Sequence, residues 1–344
     1  MQDFYLQIRN WFRQNARELP WRQTNNPYKI WLSEIILQQT RVAQGINYYL
    51  KFIKTYPTVK ELAEADEQEI LKLWQGLGYY SRARNLHYAA KQVMDEFQGQ
   101  FPSTYNDVLK LKGVGEYTAA AITSFAYNLP YPVLDGNAYR VLARYFNDST
   151  PIDTSEGRKV FKKYITEVFD DSYPAEFNQA IMELGALVCT PLTPNCIICP
   201  LQESCLAFRE GNPIDLPQKI QKVKIKHRFL HYLVCPAQLQ LKKREKNDIW
   251  KNLYEFPMLE KENQKSDEEV RKDVWDAFGV QIRNKLCTDK HILSHQHLHT
   301  IFWEIDTAIV HPEILNIQLK DMEDFPIPRL IDRFLEENCK LFLK

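Results

Sequence analysis

Residues 189–205 read CTPLTPNCIICPLQESC and hold four of the chain's seven cysteines. This C-x6-C-x2-C-x5-C run, Cys189, Cys196, Cys199 and Cys205, constrains the chain more than any other feature. Nothing at the N-terminus reads as a signal peptide, because MQDFYLQIRNWFRQNAREL is amphipathic and charged throughout. A reducing compartment is therefore expected, where structural disulfides are rare. The cluster then reads as a metal site. Structural zinc commonly takes two short-spaced ligand pairs some distance apart. Here there is a single C-x2-C, and all four ligands share one loop after a helix. That pattern suits a compact cubane held by four thiolates, with zinc and unligated thiols as the alternatives. Cys235, Cys287 and Cys339 are scattered and lack such partners.

A length of 344 residues points to two domains, and 44% hydrophobic content allows each a core. No apolar run approaches the ~20 residues of a membrane span, so no membrane partner is expected. A formal net charge of zero argues against a uniformly basic nucleic-acid binder and leaves room for a local basic face. Up to residue 188 apolar residues recur at helical spacing, as in WLSEIILQQTRV and FNQAIMELGALV. After about residue 228 the runs RFLHYLVC, QLQLKKR and HTIFWEIDTAIV read as strands. SDEEVRKDVWDAF and PIPRLIDRFLEEN read as helices, the first capped by Ser266 or Asp267. The expected organisation is an all-α domain over 1–208, a partly extended basic linker over 209–226, and an α+β domain over 227–344.

Three short stretches carry chemistry. In LKLKGVGEYTAAAI, Gly113 and Gly115 permit a tight turn with exposed backbone N–H groups just before a helix N-terminus, a device that holds phosphate without basic side chains. An ordinary helix–turn–helix corner has the same outline. In PVLDGNAYRV, Asp135 precedes a helix that favours its anionic form, and a plain N-cap would look alike. Glu34 lies among Ile30, Trp31, Leu37 and Gln38 on one helix. If that side is enclosed, its pKa should rise; a solvated glutamate is the alternative.

In this order, LKGVGEYTAAA, VLDGNAYRV and the cysteine run resemble the endonuclease III superfamily of helix–hairpin–helix DNA glycosylases. LPWRQTNNPYKIWLSEIILQQTRV and WQGLGYYSRARNL are similar to its MutY branch of adenine DNA glycosylases. The resemblance spans about residues 8–208. It implies a [4Fe–4S] cluster, and removal of adenine from double-stranded DNA containing an 8-oxoguanine:adenine or guanine:adenine mispair. It makes Glu34 the general acid, Asp135 the carboxylate facing the oxocarbenium-like sugar, Asn137 its positioning partner and Tyr117 a close neighbour of that aspartate. Tyr117 stands where strand-cutting relatives carry a Schiff-base lysine, so a monofunctional enzyme is expected. Arg17, Trp21, Arg22 and Gln179 match positions around the extruded adenine, and Gln39 and Tyr79 match residues that wedge the stack. Trp21 as core and Arg22 as partner of a helix carboxylate are the plainer alternatives.

The C-terminal region is similar to the Nudix-like domain of the same family, which recognises 8-oxoguanine, but less closely. In LSHQHLH, Leu293 replaces an expected Phe, while Ser294 and His295 remain. No glutamate-rich magnesium helix is present, so nucleotide hydrolysis is not expected. His291, His295, His297 and His299 leave a metal site as an alternative to DNA contact. A monomer, cytoplasmic and nucleoid-associated, completes the expectation. The rival functions are a thymine or oxidised-pyrimidine glycosylase on the same scaffold and a non-catalytic lesion binder.

Overall fold

The computed structural model describes residues 2–220 and 224–342. The helices are α1 (Gln2–Asn15), α2 (Pro27–Leu37), α3 (Val42–Thr55), α4 (Val59–Glu64), α5 (Glu67–Leu73), α6 (Ser81–Phe97), α7 (Tyr105–Lys110), α8 (Glu116–Tyr127), α9 (Gly136–Tyr145), α10 (Ser155–Val168), α11 (Pro174–Leu187), α12 (Leu206–Arg209), α13 (Asp267–Phe278) and α14 (Arg329–Asn338). The strands are β1 (Lys226–Val234), β2 (Leu239–Lys243), β3 (Tyr254–Glu255), β4 (Met258–Lys261), β5 (Ile282–Ile292), β6 (Gln296–Ile305) and β7 (Ile314–Ile317). Two compact units result, Met1–Glu64 with Tyr88–Gln221, and Ala65–His87 with Lys222–Lys344.

The first unit is helical. Asn26 caps α2 by accepting from the N–H groups of Tyr28 and Lys29, with Pro27 in the first turn. One core cluster joins Phe4 and Ile8 of α1, Val141 and Leu142 of α9, Phe161 of α10, and Phe177, Ile181 and Leu184 of α11. Each such side chain contributes about 1.5–3 kcal/mol by leaving water. Cys189, Cys199 and Cys205 pack partly buried against this core. Within the expected linker, residues 216–220 have partners on the helical unit. Leu216 is buried in the core, and its carbonyl accepts from Arg144 Nε at 3.1 Å. Ile152 N donates to Gln218 O at 3.0 Å, and Ile220 N donates to Asp153 Oδ1 at 3.1 Å. This stretch is thus bonded onto the helical unit. Residues 221–223 of the expected linker lie outside the described residues.

The second unit contains two sheets, ordered β4-β1-β6-β5 and β3-β2-β7. β1 runs parallel to β6, and the other pairings are antiparallel. Helix α13 begins with the expected Ser266, in a capping box with Glu269. Its Val270 and Val274 pack with Leu233, Trp303 and Ile305. Residues 65–87 join this unit through Lys72 Nζ, which donates to Phe325 O at 3.1 Å, and Ile327 N, which donates to Gln75 Oε1 at 3.2 Å. Strand β5 had no period-2 signal. It lies at a sheet edge, with an irregular register against β6, and its exposed lysines are what an edge tolerates.

Candidate active site

A cavity of about 710 Å³ opens within the helical unit, and Glu34, Tyr117, Asp135 and Asn137 line it together. Glu34 comes from α2, where Ile30, Leu32, Ile35 and Ile36 bury the helix around it. Only 7% of Glu34 is exposed, so the solvated alternative is set aside. Burial pushes its carboxyl up to about 7, and the charge of Asp135 adds to this. The Tyr117 hydroxyl, which donates to Glu34 Oε2 at 2.9 Å, works the other way. Tyr117 therefore bonds Glu34 and also lies within electrostatic reach of Asp135, in the same cavity lining.

Asp135 is the N-cap of α9 and a lining residue at once, so the two readings of DGN hold together. Its Oδ1 accepts from Ala138 N at 2.7 Å and its Oδ2 from Asn137 Nδ2 at 2.6 Å. Burial raises its pKa, while those two donors and Arg140 favour the anion. One carboxyl thus meets a single hydroxyl donor, and the other a helix N-terminus and an amide. The two carboxyls differ in their donors, although burial raises the pKa of both.

Arg17, Trp21, Arg22, Gln39 and Gln179 line the same cavity. Trp21 is also core, packed edge-on against Tyr49 at 5.3 Å. Arg17 and Arg22 both bond Glu183 of α11, each at 2.7 Å. Burial opposes the charge of Glu183, yet these hydrogen bonds hold its pKa down to about 2. Sequence reasoning missed Glu183, whose partners lie 161 and 166 residues away and leave no local mark. It also missed Arg140, which donates to Asn137 Oδ1 at 2.7 Å and to Cys189 O at 2.7 Å. Among the described residues, no lysine lines the cavity.

Gly113 turns the chain between α7 and α8 with φ 82°, a conformation that glycine adopts without strain. Gly115 is the N-cap of α8, and a Cβ built there would meet open space. The turn presents backbone to solvent as expected. Gln39 (φ 54°) and Tyr79 (φ 48°) both have left-handed backbone, which aims their side chains out of the regular helical path.

The four cysteines of the loop line one small pocket with Arg144. Arg144 is buried and donates to Cys189 Sγ at 3.3 Å and to Thr190 O at 2.7 Å. Burial pushes the Cys199 thiol up to about 12, with the neighbouring thiols adding to it. Among the described residues, no three His, Cys, Asp or Glu side chains stand where one ion could take them together. The four thiols share the lining of that pocket. Among the described residues, the histidines form no such group either. His297 and His299 gather with His227, whose Nδ1 lies 2.9 Å from His299 Nε2, while His291 meets Trp250.

The second unit has its own cavity of about 490 Å³, lined by Tyr79, Leu293, Ser294, His295, Trp250 and His291, among others. Leu293 N donates to Gln296 O at 2.8 Å, closing a turn that leaves Ser294 and His295 exposed. Ser294 Oγ lies 3.1 Å from His295 Nδ1.

Residues 32–167 match the HhH-GPD superfamily of base excision DNA repair proteins, and residues 230–337 match the NUDIX domain. An adenine DNA glycosylase of Buchnera aphidicola subsp. Baizongia pistaciae is 39% identical over 307 residues, covering 86% of this chain and 84% of that one. One from Buchnera aphidicola subsp. Schizaphis graminum is 33% identical, over 96% of each chain. The adenine DNA glycosylase of Homo sapiens is 41% identical over 208 residues, 58% of this chain and 38% of that one. A thermostable thymine-DNA glycosylase aligns in structure with TM-score 0.55 and 27% identity, over 60% of this chain and 95% of that one. A trapped endonuclease III–DNA covalent intermediate aligns with TM-score 0.53 at 21% identity, over 60% of this chain and 94% of that one, a likeness of fold. With a helical HhH-GPD region followed by a Nudix-like region, and with these relatives along nearly its whole length, the chain belongs to the adenine DNA glycosylase family.

Proposed function

We propose that the enzyme hydrolyses the N-glycosidic bond of adenine mispaired with 8-oxoguanine or guanine in duplex DNA, as a monofunctional, monomeric glycosylase of the cytoplasm and nucleoid. The observation that carries this is the pairing of Glu34 and Asp135 in one cavity with different hydrogen-bond donors. The adenine bond is out of reach inside a duplex, so the nucleotide must be extruded. Glu34, with a pKa near neutrality, holds a proton to place on the purine ring and make it a better leaving group. The electron pair of the C1′–N9 bond leaves with the base. Asp135, whose anionic form the Ala138 and Asn137 donors favour against its burial, lies in the same cavity to stabilise the oxocarbenium-like sugar until water adds. Gln179 offers an amide, which can pair with an adenine edge. Arg17 and Arg22 are held by Glu183 as a fixed wall.

The absence of a lining lysine among the described residues supports a hydrolytic route without a Schiff base. The turn at Gly113–Gly115 offers backbone N–H groups to a phosphate. The cavity with Tyr79, Ser294 and His295 is the proposed site of the purine opposite adenine. Cys189, Cys196, Cys199 and Cys205 would hold a [4Fe–4S] cluster. Four thiols lining one small pocket are the soft donor set that such a cluster takes. A cluster held by these cysteines would fasten the loop whose carbonyls accept from Arg140 and Arg144.

Base release from four duplexes tests the reading, with adenine opposite 8-oxoguanine, guanine, cytosine or thymine. Release is expected opposite 8-oxoguanine and more slowly opposite guanine. Equal release opposite both purines would remove the role given to the second unit, and no adenine release would overturn the whole.

A further inference from the structure

Trp250 lines the second unit's cavity beside Tyr79, Leu293 and Ser294. Its backbone has φ 61°, a region that bulky residues rarely occupy and that costs on the order of 1 kcal/mol. The surrounding loop is bonded in place. Asp248 is gripped by Arg228 at 2.6 Å and Arg244 at 3.2 Å. Ile249 O accepts from Arg244 Nε at 3.2 Å, and Lys251 O from Arg84 Nη1 at 3.0 Å. Asn252 N donates to Arg244 O at 2.7 Å. The Trp250 ring meets His291 at 5.7 Å and 63°, on the strand that leads into the Leu293–His295 turn. Such a frame holds a large ring in the cavity wall, 8% exposed. Leu293, by contrast, has no π face, and Tyr80 is tied by its hydroxyl to Gly76 N and Ile327 O.

We infer that Trp250 supplies the aromatic face against which the purine opposite adenine stacks, while Ser294 and His295 read that purine's edge. The inference rests on the reading of this cavity as the purine site. Stacking is indifferent to the C8 oxygen, whereas the edge contacts sense it. Trp250 therefore sets affinity for either purine, and Ser294 sets the choice between them.

The test is binding by the full chain to duplexes in which adenine is replaced by the non-cleavable 2′-fluoro-2′-deoxyadenosine. Opposite it stands 8-oxoguanine, guanine or an abasic analogue. Trp250→Met keeps much of the volume but no ring, and Trp250→Phe keeps a ring, so comparing the two separates stacking from packing. Trp250→Met is expected to lose about tenfold in affinity for both purine duplexes, the effect of one lost base–aromatic stack. It should bind the abasic duplex as wild type does, and Trp250→Phe should bind all three nearly as wild type. An equal loss on the abasic duplex, or an equal loss in Trp250→Phe, would make Trp250 merely structural and overturn the inference. If Ser294→Ala alters the ratio of 8-oxoguanine to guanine while Trp250→Met changes nothing, only the inference fails. If neither variant changes purine binding, the reading of the cavity fails with it.

Discussion

Glu34 and Asp135 occupy one cavity and meet different donors. A raised carboxyl pKa is also a statement about stability. Between the unfolded value near ~4.3 and about 7, folded Glu34 keeps a proton that the unfolded chain has released. Its contribution is therefore fully present below the unfolded value and is lost as pH rises through about 7. Glu34→Gln cannot ionise, so it should melt at a higher temperature than wild type at pH 8, with the difference shrinking toward pH 4. Equal melting curves at pH 8 would deny the burial argument. Glu183 has the opposite sign, because its depressed pKa gives stability that is lost only as pH falls toward about 2. Glu183→Gln leaves Arg17 and Arg22 without their anion. It should cost about 2 kcal/mol, less than a fully buried pair because Arg17 is a third exposed, as read by urea unfolding. Glu34 was legible because its apolar neighbours are local in sequence. Glu183, Arg140 and Trp250 were not, since each acquires its meaning from partners brought by the fold.

The helices of the first unit were legible as elements, because their apolar spacing is regular and their caps are chemical. Edge strand β5 was not, since IRNKLCTDKHI is polar at most positions and its register is irregular. The partners of residues 216–220 were hidden for a related reason. Prolines and charges look like linker, but their backbone groups find partners on the helical unit. Packing between elements yields two contrasting glycine predictions. A Cβ at Gly185 of α11 would stand 2.6 Å from Asn137 Cβ and 3.0 Å from its Cα. Gly185→Ala should therefore cost about 1–3 kcal/mol and lower the rate of adenine release, by displacing the residue that positions Asp135. At Gly115 there is open space and an extended backbone. Gly115→Ala should leave the melting temperature unchanged and weaken duplex binding, measured by anisotropy, because its methyl stands where a phosphate would approach. Unaltered affinity would remove the turn from the DNA-binding surface.

At the scale of the whole molecule, the family resemblance carried the order of the two regions, helical first and Nudix-like second. It did not convey that Ala65–His87 packs with the second unit, because nothing local distinguishes those helices from their neighbours. The consequence is that Tyr79 shares a cavity with Ser294 and His295. The cysteine loop connects to the N-terminus of α9 through Arg140, so its cysteines matter beyond their own segment. Cys199→Ser should bleach the brown colour expected of an iron–sulfur protein and lower the melting temperature. A wild-type protein that purifies colourless with bound zinc would contradict the cluster assignment.

The most direct test is single-turnover adenine release opposite 8-oxoguanine, followed across pH for wild type and Glu34→Gln. With Glu34 as the acid, the wild-type rate should fall as pH rises through about 7, as the carboxyl loses its proton. Glu34→Gln should bind the duplex normally and release almost no base at any pH. A Glu34→Gln enzyme that releases adenine at the wild-type rate would place the acid elsewhere and undo the central claim.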